Sequence, residues 1–180
     1  MESHEFWRLV EEARAPGRSA QGVVAALVPA LAALEPSQIE GFQGWLDAYR
    51  YAAARKELWA AAFYVKGGCS DDSFDYFRAW LIAQGQEVFL AAMHDPGSLA
   101  EHRWPGGDSR WPSMSCEPMM SAPRRAYELV TGKKMGWERV NPRVEEESQW
   151  PADRIADYNW TDADTIALFP ALAERWPHDS

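Results

Sequence analysis

Apolar residues recur every three to four positions through most of the N-terminal half of the chain, the spacing that places them on one face of a helix. Phe6, Leu9, Val10 and Ala13 form the first such stripe, with Glu5, Arg8, Glu11 and Glu12 opposite, and predict a helix from Ser3 to Ala15 that Pro16-Gly17 ends. An Ala- and Val-rich run from Ser19 to Leu34 predicts a second helix, which Pro29 should kink or split because proline removes a backbone donor. Ser37 and Glu40 have capping-box spacing at the start of a third, which carries Ile39, Phe42, Leu46 and Tyr49 inward. Gly41 and Gly44 weaken that helix by about 1 kcal/mol each relative to Ala, which predicts close packing or local plasticity there. A fourth helix, through Leu58 to Val65, brings Trp59, Ala62, Phe63 and Val65 up to the pair Gly67-Gly68.

Those two glycines begin the stretch around which the rest is organised, GGCSDDSFDYFRAWLIAQG. Glycine adopts positive φ without steric cost, so one helix can stop and the chain can turn into the next. Ser70, Asp71 or Asp72 can cap that next helix, and both carboxylates suit the positive end of its dipole. Phe74, Phe77 and Leu81 then form the apolar stripe, Trp80 and Gln84 flank it, and Gly85 stands where a left-handed residue past the helix end is expected.

Beyond it, Gln86 to His94 reads as a short helix stopped by Asp95-Pro96-Gly97. From Arg103 to Ser121 the chain is rich in Pro, Gly, Ser and Trp, with Arg-Trp-Pro steps at Trp104 and Trp111, and predicts a long loop because residues before proline favour extended backbone. Pro123 to Val130 predicts another helix, ended by Gly132. Between Gly136 and Trp160 the pattern fits a short strand pair or an irregular wrap, and Thr161 caps a last helix through Leu168, with Pro170 starting or kinking a further turn. The fold class expected is mainly α: one domain over residues 1–180, with a helical core at about 3–100, a Trp/Pro-rich loop at about 103–121 and a C-terminal segment at 122–180.

Composition sharpens this. A chain of 180 residues buries about two-thirds of its unfolded surface in a single core. Ten tryptophans imply a Trp-rich core or an aromatic contact surface, and Trp104, Trp111, Trp137, Trp150 and Trp160 fall in irregular stretches where either is open. The net charge of −9 repels phosphate backbones and argues against general nucleic-acid binding, while favouring a cationic partner. Cys69 and Cys116 lack CxxC spacing, so neither a zinc knuckle nor a disulfide framework is indicated. No segment has the length of a membrane span or the layout of a signal peptide, so the expected location is the cytoplasm, with no membrane partner.

Asp71, Asp72 and Asp75 crowd three carboxylates into one helix start, a density able to hold a cation or cationic ligand, although helix N-termini also collect acids for the dipole alone. Cys69 precedes that N-terminus, which lowers a thiol pKa, but the neighbouring aspartates raise it. His94 and His102 are too far apart for a one-face metal pair, and no phosphate loop, serine elbow or HExxH pattern occurs, so no metal or cofactor is expected.

The central stretch, followed by VFLAAMHDPGSLA and set between the opening EFWRLVEEA and the later AYELVTGKK, resembles the bacterial domain-of-unknown-function family 4240. In some members this domain accompanies a tryptophan-glycine-arginine domain, and the resemblance implies no activity and no catalytic residue. The function expected is a non-enzymatic binding module that holds a protein or small cationic ligand. Its candidate contacts are Cys69, Asp71, Asp72, Asp75, Arg78, Trp104 and Trp111. The alternative is an enzyme of unfamiliar type that uses the Asp71/Asp72 carboxylate pair with Arg78 in a pocket.

Overall fold

The structure, a computed structural model, describes residues 1–102, 113–136 and 161–178. These residues form nine α-helices and one 3-10 turn, with no strand among them: α1 (Ser3–Ala13), α2 (Ala20–Ala32), α3 (Pro36–Ala52), α4 (Lys56–Lys66), α5 (Asp71–Ala83), α6 (Gln86–His94), the 3-10 turn (Pro96–Ala100), α7 (Glu117–Thr131), α8 (Asp162–Leu168) and α9 (Pro170–Arg175). The fold is mainly α.

Two groups of helices meet at α5. On one side α7 packs across α2 and α3, and α1 closes against the same two; on the other, α4 gathers the 3-10 turn, α8 and α9. Helix α5 touches α2, α3, α4, α6 and α7 and joins the two groups. Its stripe explains this: Phe74, Phe77, Trp80, Leu81 and Ile82 are all buried, and each such side chain contributes about 1.5–3 kcal/mol by leaving water. Phe6 meets Phe42 with ring centroids 4.5 Å apart, and Trp7, Tyr49 and Phe89 extend that cluster to α6.

Three element starts and breaks differ from the sequence pattern, each for a physical reason. Helix α2 runs unbroken through Pro29, because Pro29 and Ala25, whose carbonyl loses its partner, both lie on the exposed face where water replaces the missing bond. Helix α3 starts at Pro36 and not after Ser37: proline suits the first helical position, and the Glu35 N–H donates to Gln38 Oε1 at 3.2 Å. Helix α7 begins at Glu117, before the expected Pro123, so the stretch from Glu117 to Ser121 is helix and not loop. Met119, Ala122 and Ala126 are buried on this helix, and the packing they make against α2, α3 and α5 outweighs the bond that Pro123 forfeits. The remaining loop from Arg103 to Pro112 and the ambiguous stretch from Trp137 to Trp160 lie outside the described residues.

Gly85 has φ +93°, and a Cβ there would sit 2.2 Å from Glu11 Oε1 and 2.3 Å from Arg14 Nη1. That φ favours glycine, and the missing Cβ leaves room for the ends of the Glu11 and Arg14 side chains at the joint between α5 and α6, where Glu11 Oε1 accepts the Gln86 N–H at 2.9 Å. No described helix is long and apolar enough to cross a membrane.

Candidate functional site

The start of α5 is built by a stop and a cap. Gly67 ends α4 in the left-handed conformation at φ 67°, and the Gly68 N–H donates to the Phe63 carbonyl at 2.8 Å. Ser70 then caps α5, its Oγ accepting the Ser73 N–H at 3.3 Å. Asp71 and Asp72 therefore occupy the first turn without being the cap; both are exposed.

Half a turn further on, the chemistry points inward. Trp59 stacks on Phe74 at 4.9 Å and 9°, and its indole N–H donates to the Cys69 carbonyl at 2.8 Å. The Arg78 guanidinium lies 5.0 Å from the centre of the Phe74 ring, a cation–π contact. Arg78 pairs with Asp75, one helical turn back, and donates to the Arg50 carbonyl at 2.6 Å. Arg50 reaches Asp75 at 3.4 Å and Asp47 at 3.3 Å, and Asp47 accepts from Gln43 at 2.9 Å. Burial, with the Arg50 charge added, lowers the Arg78 pKa to about 10 against the pull of Cys69; burial also lowers that of Arg50 against Asp47. This network is a polar joint between α3 and α5.

The predicted cluster thus divides. Asp75 and Arg78 belong to the inner joint with Asp47 and Arg50, and Arg78 meets Asp75 in place of Asp71 or Asp72. Cys69 is buried, and burial pushes its thiol up against the opposing effects of the Ser73 hydrogen bond, Lys66 and Arg78. That suits a small apolar filler and not a nucleophile. Trp104 and Trp111 lie outside the described residues. His94 is exposed, and among the described residues no group of three or more His, Cys, Asp or Glu side chains is placed to hold a metal ion.

The exposed aspartates gain neighbours that sequence distance concealed. The Cys116 N–H donates to the Tyr76 carbonyl at 3.0 Å, which seats the first turn of α7 beside the middle of α5. Glu117 stands there against Tyr76, a half-exposed ring one turn beyond Asp72. The Tyr76 phenol is pushed up first by the Glu117 charge, then by burial and by Asp72. Asp72 and Tyr76 have the readable i,i+4 spacing of a shared face, but Glu117 carried no local signal. The outer face of this region is a tyrosine set among carboxylates from two helix starts.

No curated protein and no solved structure matches the chain. Residues 1–129, which include every helix from α1 to α6 and most of α7, match the family described as Protein of unknown function (DUF4240). With that match spanning most of its length, the chain belongs to this family.

Proposed function

We propose that the chain is a non-catalytic binding module that holds a basic protein segment on the face formed by Asp71, Asp72, Tyr76 and Glu117. The observation that carries this reading is the seating of α7 on α5, where the Cys116 N–H donates to the Tyr76 carbonyl at 3.0 Å and so brings Glu117 to the side of the half-exposed Tyr76 and Asp72. A tyrosine offers contact area at small entropic cost, and the carboxylates around it attract Lys and Arg and repel acidic competitors. The net charge of −9 supports the same polarity of partner. Two free, buried thiols support a reducing compartment, in keeping with a cytoplasmic site of action.

The test is titration of an octalysine peptide at low and at physiological salt. Wild-type binding weakens as salt rises. The variant Asp71→Asn/Asp72→Asn/Glu117→Gln binds about tenfold more weakly, equivalent to roughly 1.4 kcal/mol. A control in which Glu87, Glu101 and Glu174, all exposed and elsewhere, become Gln keeps its affinity. Equal losses in the two variants would reduce the effect to net charge and remove the assigned face. Because Ser70 supplies the cap, neutralising each aspartate costs the fold only the dipole contribution of about 0.3–1 kcal/mol, so the variant remains folded for the comparison.

A further inference from the structure

A second feature lies away from the acidic face. Between α4, α6, the 3-10 turn and the start of α9 is a half-enclosed cavity of about 260 Å³, lined by Leu58, Ala92, Met93, Pro96 and Phe169 on its apolar side and by Arg55, Glu57, His94 and Asp95 on its polar side. Its volume is just below the roughly 300 Å³ at which ligand pockets begin, so an occupant is small.

The polar groups differ in what they already bind. Arg55 donates to the Met93 carbonyl at 2.5 Å and so serves the C-terminal end of α6, and Asp95 Oδ1 accepts the Gly97 N–H at 2.8 Å. Glu57 Oε2 is buried and accepts no hydrogen bond. That oxygen is closed off from the cavity as well as from donors, so an occupant meets what the wall exposes of the Glu57 carboxylate, and a positively charged N–H donor is favoured there because its hydrogen bond to an ionised acceptor is stronger than a neutral one.

We infer that this cavity binds a small organic ammonium compound, its charged nitrogen donating to Glu57 and its apolar body lying against Leu58, Met93, Pro96 and Phe169. The site uses none of the residues of the acidic face, so either assignment stands or falls without the other.

The experiment follows backbone amide NMR shifts of the full chain at about pH 7 with benzylamine, protonated at that pH, and with benzyl alcohol and benzoate as neutral and anionic counterparts. Benzylamine produces saturable shifts at Leu58, Ala92, Met93 and Phe169, and the two counterparts do not. Glu57→Gln weakens benzylamine at least tenfold, while Asp71→Asn/Asp72→Asn/Glu117→Gln leaves it unchanged. Absence of saturable shifts, unchanged binding to Glu57→Gln, or equal response to benzyl alcohol would overturn the inference; the last would show a purely apolar cavity. If Glu57→Gln fails to fold, the contrast between benzylamine and benzyl alcohol on the wild-type chain decides alone.

Discussion

Four charged side chains in this protein reach the ends of helices that are not their own. The last carbonyls of a helix have no intrahelical partner and carry the negative end of its dipole, so a cation there satisfies both. Arg18 donates to the Ala13 carbonyl at the end of α1, Arg78 to Arg50 near the end of α3, and Arg55 to Met93 near the end of α6; Glu11 does the converse at the start of α6. The buried thiols show the opposite preference, for neutrality. Burial pushes the Cys116 thiol up to about 11 against a hydrogen bond from the Met119 N–H. Its folded pKa is raised above the unfolded value, so its contribution is fully present below about pH 8.5–9 and is lost as pH rises through about 11. Two pKa units correspond to about 2–3 kcal/mol. Urea unfolding at stepped alkaline pH checks this: wild type loses stability across that window and Cys116→Ala loses less. Parallel curves would show that the thiol titrates alike in the two states.

At the scale of elements, the joint between α3 and α5 is an ion network in place of an apolar seam. The Nε–H groups of Arg50 and Arg78 are buried there without an acceptor, which offsets part of what the ion pairs contribute. Arg78→Met keeps the side-chain length, removes the cap on the Arg50 carbonyl and leaves Asp75 with Arg50 alone; it should cost about 1.5–3 kcal/mol, the range for hydrogen bonds to charged groups. Removing Asp75 as well should cost less than the sum of the single changes, with a coupling of about 0.5–3 kcal/mol as expected for groups in one network. Additive effects in denaturant unfolding would mean that Arg78 and Asp75 act independently and that the ion pairs do not work as one network at this joint.

For the whole molecule, long-range electrostatics are set by the charge of −9, whereas among the described basic residues Arg124, Arg125, Lys133 and Lys134 form a group on or just beyond α7. Phosphate backbones are repelled by the former and gain little from so few of the latter. No appreciable affinity for mixed-sequence duplex DNA is therefore expected at about 0.15 M salt, where exposed charges more than roughly 8 Å apart are screened. A fluorescence anisotropy titration checks it, and tight, salt-sensitive binding would reveal a converged basic patch.

Much of the helical plan was legible in the residues because it depends on short-range rules. The apolar stripes of α1, α3 and α5, a cap from among Ser70, Asp71 and Asp72, the Thr161 cap, the glycines at 67, 85 and 132 with positive φ, and the extent of α6 follow from spacings of three to four residues and from steric limits on φ, while the structure chose Ser70 among the three. Local rules failed where burial competed with them, as at Pro123, and where water could replace a lost bond, as at Pro29. What only the tertiary structure decided is partnership. That Arg78 caps a carbonyl 28 residues back, that Glu11 caps a helix 75 residues on, and that Tyr64 donates to the Trp176 carbonyl 112 residues away are facts of packing. The acidic sequence therefore determined the sign of the protein's field. The fold alone chose which carboxylates surround Tyr76, which one Arg78 engages, and which, at Glu57, is left beside a cavity without a donor, because side chains distant in sequence are matched only when their helices meet.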